Sequence, residues 1–162
     1  MIKKYSLILT NNFESINPGD NMLLIRHQYY LKKNFNAKVI NLPEISKNEL
    51  YERYEKCEKT FNSLMHELTV MLNSVHGLNY SFRAWDIMLG KWLKDFIHIC
   101  EKYYYIINYT LKNYNIEKIY SLDYSSYDFV VDDTVSGTIA LNDNEWTFCF
   151  SSSLLNYLEP KF

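Results

Sequence analysis

The chain is poor in glycine, with 4 in 162 residues, and none of them lies in a Walker phosphate loop, a Gly-rich dinucleotide fingerprint or a GxSxG nucleophile elbow. The commonest sequence-readable nucleotide and acyl-transfer sites are therefore excluded. Cysteine is also scarce: Cys57, Cys100 and Cys149 are odd in number, far apart and set among apolar residues, so they predict buried thiols in a reducing compartment rather than a disulfide framework or a zinc knuckle. Neither sign of charge dominates. With 17 basic and 19 acidic residues the net charge is -2, which gives no global attraction to nucleic acid or an anionic membrane. No apolar run approaches the ~20 residues of a membrane span, and the opening "MIKKYSLILTNNF" has too short an apolar stretch for a secretory leader. These absences predict a soluble cytoplasmic protein, folded as a single domain over 1–162.

Aromatic residues are abundant, with 15 tyrosines and 9 phenylalanines. Exposed tyrosines can stack on sugars or bases, but the accompanying Asn, Lys and Ile are also what AT-rich codon usage produces, and that reading has the greater weight.

The pattern along the chain predicts an α/β fold. "KKYSLILTN" at 3–11 contains a continuous apolar run, the mark of a strand buried on both faces in a parallel sheet. "NPGD" at 17–20 reads as a turn, with Asp20 capping a helix through "NMLLIRHQYYLKKNF", and "AKVINLP" at 37–43 reads as the next strand. Strand, helix, strand implies a parallel pair with a right-handed crossover. Ser46 and Glu49 form a capping box, with Ile45 and Leu50 placed as a hydrophobic staple. Behind them Leu50, Tyr54, Cys57, Phe61, Leu64, Leu68, Met71, Leu72 and Val75 recur at helical spacing, predicting one buried stripe that ends at Gly77.

A second long helix is expected from Asn79 or Ser81 toward Tyr114. Trp85, Trp92, Phe96, Ile99, Tyr103 and Ile107 fall on its apolar side, and Arg83, Asp86, Gly90, Lys94, His98 and Glu101 on the other. "EKIYSLD" at 117–123 reads as a third strand, "DFVV" at 128–131 as strand-like, and "TVSGTIAL" as a short helix capped by an Asp. Asn142 with Glu145 opens a last helix.

Chemistry is thinly marked. "HEL" at 66–68 lacks the second histidine of a zinc-protease helix, so no metal site is expected. Asp123, Asp128, Asp132, Asp133 and Asp143 are more simply loop and cap residues than a cation site or an acid and base pair. Asn11, just past the first strand, is a turn former that also lies where open α/β sheets bind ligands. Arg83 is the conspicuous charge. It falls in the first turn of a helix, where the dipole disfavours a cation, so an anion is expected beside it: Asp86 one turn on, or the carboxylate or phosphate of a ligand.

The stretch "HGLNYSFRAWDIMLGKWL" resembles the His-Gly-x-Asn-x-Ser-x-Arg-x-Trp segment of a bacterial family of transferases for surface-carbohydrate biosynthesis. The matched positions are His76, Gly77, Asn79, Ser81, Arg83, Trp85, Gly90, Trp92 and Leu93. That family is similar to the CDP-glycerol glycerophosphotransferases, with a GT-B-like architecture of two Rossmann-type halves. The order of strands and helices is also similar from residue 5 to about 158. Departures are Lys91 in place of the family's proline, "EKYYY" at 101–105 in place of an acidic-Arg-Tyr signature, and "LIRHQ" where a Trp-Cys pair is usual.

The resemblance implies a Rossmann-like parallel sheet flanked by two long helices, the N-terminal, acceptor-side half of a GT-B-like transferase. It implies a nucleotide-sugar or CDP-linked donor, a carbohydrate acceptor, a catalytic partner domain, and no nucleic acid. Family chains run well past the length of this one, so a fragment, a truncated gene or a free-standing module is expected. His76, Asn79, Ser81, Arg83 and Asn11 are the candidate substrate contacts; no general base is assigned. The rival expectation is a non-catalytic module that binds a sugar or nucleotide, or docks onto a catalytic partner.

Overall fold

A computed structural model of the chain describes residues 3–9, 16, 21–24, 37–40, 42–121, 133–141 and 143–158. The element order is β1 (Lys4–Leu9), β2 (Met22–Leu24), β3 (Ala37–Val39), α1 (Lys47–His76), α2 (Phe82–Asn113), β4 (Asn115–Ser121), α3 (Thr134–Ala140) and α4 (Asn144–Leu158). The fold is α/β; among the described residues the sheet has four strands, all parallel, in the order β3-β2-β1-β4. The chain divides into two compact units: 1–43 with 103–130 and 142–162, and 44–102 with 131–141.

The first unit contains the sheet. Leu7, Ile8 and Leu9 are fully buried because successive side chains enter opposite cores. Leu7 and Leu9 join Leu23, Ile106, Ile107 and Leu155 on one face, whereas Ile8 joins Ile16, Met22 and Leu24 on the other. An unbroken apolar run is the sequence such a strand requires. The register pairs Ser6 with Met22 and Ile8 with Leu24 on one side of β1, and Ile8 with Tyr120 on the other.

The helix expected to start at Asp20 is corrected at its first residues: Met22–Leu24 are the strand β2, held between β1 and β3. A short run such as "MLLI" satisfies a buried strand and a buried helix equally by periodicity, and the parallel ladder decides between them. The rest of that expected helix, the "NPGD" turn and "DFVV" lie outside the described residues.

The second unit is built on the antiparallel pair of α1 with the part of α2 through Lys102. Ser46 caps α1, its hydroxyl accepting the Glu49 N–H at 3.2 Å. Cys57, Phe61 and Met65 pack on Trp85, Leu93 and Ile97, with Leu68, Leu72, Leu89 and Trp92 partly buried around them. The expected stripe is narrower than its periodicity implied. Leu50, Tyr54, Leu64, Met71 and Val75 are exposed and Met65 is buried, because one facing helix covers only part of the apolar arc.

Gly90, placed on the polar side by its sequence, is buried in the seam. A side-chain carbon there would run into the Asp86 carboxylate and lie 3.5 Å from the Phe61 ring. Across the pair, Arg53 grips Glu101 with two hydrogen bonds of 2.7 and 2.8 Å, and Lys94 reaches Glu58 at 3.2 Å.

"TVSGTIAL" is helical as expected, with the Asp133 carboxylate accepting the Ser136 N–H at 2.7 Å. The last helix starts one residue later than expected. Its cap is Asp143, which accepts the Trp146 N–H at 3.0 Å; Asn142 lies outside the described residues.

Candidate functional site: the turn between the long helices

Gly77 ends α1 in the left-handed conformation, φ 63°, which a residue without Cβ adopts at no steric cost. Its N–H and that of Leu78 both donate to the Asn73 carbonyl, satisfying an acceptor at the helix end. The Asn73 side chain then holds the far side of the turn. Its Oδ1 accepts from the Tyr80 N–H and from the Trp85 indole, each at 3.0 Å, while its Nδ2 donates to the Tyr80 carbonyl at 2.9 Å. Ser81 opens α2, its hydroxyl accepting the Ala84 N–H at 3.3 Å.

Of the five expected contact residues, four come together on this turn. His76, Asn79, Ser81 and Arg83 are all exposed. The His76 ring lies 6.4 Å from that of Trp85, and Tyr80 closes on the same indole at 5.6 Å, so Trp85 is a buried anchor beneath the turn. Asn11 lies outside the described residues. The strand order nevertheless reverses direction between β1 and β4, and in open α/β sheets the crevice beyond the carboxyl ends of such strands is where ligands bind. Asn11 and Asp123 follow those two strands in sequence.

Electrostatically the turn joins two helix ends of opposite sign. His76 stands at the negative end of α1, where a cation is favoured, and Arg83 at the positive end of α2, where it is not. The Arg83 side chain makes no ion pair or hydrogen bond with any described residue, so the expected link to Asp86 does not form. The N–H groups of Phe82 and Arg83 likewise have no acceptor among the described residues. A guanidinium and two free amides at one helix start are competent to hold an anionic oxygen.

Asn73 was not singled out by the sequence. The available signal was a poor helix former near the end of a long helix, four residues before the terminating glycine. Among the described residues no group of three or more His, Cys, Asp or Glu side chains could hold a metal ion, and no helix is long and apolar enough to cross a membrane.

Residues 5–161 match the model of the LIC12162 family transferase. No curated protein and no solved structure matches the chain.

Proposed function

The chain belongs to the LIC12162 family of transferases, and from that premise we propose that it serves the acceptor side of a glycosyl- or glycerophospho-transferase in bacterial cell-surface polysaccharide assembly. The reaction is displacement of a nucleotide leaving group by an acceptor hydroxyl. Its transition state gathers negative charge on phosphate oxygens, and a pre-placed cation with oriented N–H groups stabilises that charge. The donor is a nucleotide sugar or a CDP-linked alcohol, and a partner domain completes the catalytic site.

The observation that carries this reading is Arg83: an exposed guanidinium with no ionic partner among the described residues, on the same turn as His76, Asn79 and Ser81. The test is a panel of nucleotide sugars and CDP-glycerol offered to the purified chain. Binding or transfer that Arg83→Ala abolishes, with the melting temperature unchanged, supports the proposal. A panel with neither binding nor transfer overturns it.

A docking module is the second reading, favoured by Val70, Val75 and Ile87, large apolar residues between 71% and 73% exposed near the turn. Sugar or nucleotide binding with no turnover, even on adding a partner protein, favours that reading.

A further inference from the structure

We propose that the groove at the start of α1 is a saccharide subsite, gripping one hexopyranose unit of the acceptor chain away from the reacting end. Its identification of the ligand as an acceptor rests on the proposed function; its binding of a sugar ring stands on the groove itself. The concavity measures about 510 Å³ and is formed wholly within the second unit, by the first turns of α1 and by His98 and Glu101 of α2. That volume is within the range of small-molecule sites.

The walls are aromatic and aliphatic. Tyr51 and Tyr54 present their rings, 62% and 51% exposed, beside Leu50, and Tyr54 is braced by the imidazole of His98 lying nearly parallel to it at 6.0 Å. A braced ring face of this kind suits the axial C–H face of a pyranose, whose weakly positive hydrogens meet the negative π-face.

Several of the residues that line this largely apolar space also carry polar groups. Each Glu101 oxygen accepts one bond from Arg53, which leaves the carboxylate further lone pairs for hydroxyl donors. The Tyr54 hydroxyl, the His98 ring nitrogens and the Lys47 ammonium make no hydrogen bond with described residues. A lipid tail would strip water from all of these groups without replacing it, at a cost for each. A neutral polyol ring satisfies both the stacking faces and the hydrogen-bonding groups.

The groove and the Arg83 turn lie toward opposite ends of the helix pair. From Arg83 to His98 along α2 is about 22 Å at 1.5 Å per residue, too far for one sugar unit to touch both. An acceptor of several units spans it, and binding energy from such a remote contact positions the reacting end.

Saturation-transfer NMR on the full chain tests this, with methyl α-D-glucopyranoside, methyl α-D-mannopyranoside and methyl β-D-galactopyranoside as probes and sorbitol as the open-chain control. The expected result is transfer to the ring protons of at least one pyranoside and not to sorbitol. Tyr54→Ala, at an exposed position, weakens binding about tenfold, and Tyr157→Ala, a control far more exposed on α4, leaves it unchanged. No transfer to any pyranoside, transfer to sorbitol alike, or binding unaltered by Tyr54→Ala overturns the proposal. Pyranoside binding with neither binding nor turnover of any donor upholds the groove while removing the transferase reading. Donor binding or turnover without pyranoside binding does the reverse.

Discussion

The Asn73 amide oxygen accepts the Trp85 indole N–H at 3.0 Å, tying the end of the first long helix to the start of the second. The same oxygen accepts the Tyr80 N–H, so a single side chain sets the path of the turn that carries His76, Asn79, Ser81 and Arg83.

Removing that side chain has a defined cost. Asn73→Ala loses three hydrogen bonds at a half-buried position and leaves an indole N–H unpaired, which should lower stability by about 1–2 kcal/mol. Urea unfolding followed by tryptophan emission measures it. Asn73→Asp keeps both acceptor contacts but sets a carboxylate oxygen against the Tyr80 carbonyl where Nδ2 had donated, so it should also lose stability; no loss would show that the Nδ2 bond contributes little.

The two glycines of the hairpin should respond differently. Gly77→Ala meets no neighbouring atom, yet its φ of 63° is strained for an L side chain, so it should cost about 1 kcal/mol. At Gly90 the nearest obstacle is the Asp86 carboxylate, the movable end of a side chain, so Gly90→Ala should change stability by less than about 1 kcal/mol through higher helix propensity. Gly90→Leu reaches the Phe61 ring and should cost about 2–3 kcal/mol by overpacking. Thermal denaturation of the three variants orders them.

Arg53 and Glu101 are 19% and 26% exposed, so neither charge tolerates the loss of its partner. Arg53→Met alone should destabilise by about 2–3 kcal/mol, and the double change with Glu101→Leu by clearly less, since no unpaired charge remains. A double-mutant cycle in chemical denaturation reads the coupling.

Burial pushes the Cys100 thiol up to about 12, and burial, with the Glu101 charge adding to it, raises Cys57 as well. The native thiols should therefore react slowly with iodoacetamide at pH 8, and rapidly in denaturant. The sign of the linkage follows. An acid whose pKa is raised on folding favours the folded state fully below the unfolded value of about 9, and that contribution is lost as pH climbs from there toward 12. Melting temperatures between pH 8 and 11 should fall, and less steeply in Cys100→Ala.

Arg83→Ala removes no side-chain hydrogen bond or ion pair with a described residue, so its stability should stay within about 0.5 kcal/mol of the parent. A larger loss in a melting experiment would make Arg83 a structural residue.

Much of this fold was legible from local chemistry. Ser46, Gly77, Ser81 and Asp133 mark helix ends through the backbone groups they satisfy or the φ they permit, and such signals need no tertiary partner. The unbroken run Leu7 to Leu9 announced a strand with a core on each face.

What the sequence alone determined was therefore the class of the fold, most helix boundaries and the cluster of four motif residues on one turn. The tertiary structure decided whatever depends on a facing surface. It made Met22–Leu24 a strand, because the ladder between β1 and β3 supplies hydrogen bonds that periodicity does not encode. It buried Gly90 where a helical wheel exposes it, and exposed Leu50, Tyr54 and Val75 where the wheel buries them, since burial follows the partner helix rather than the residue's own hydrophobicity. It also brought Asn73 within reach of Trp85, and Tyr54 against His98, pairs separated by 12 and 44 positions whose meeting exists only once α1 and α2 run antiparallel.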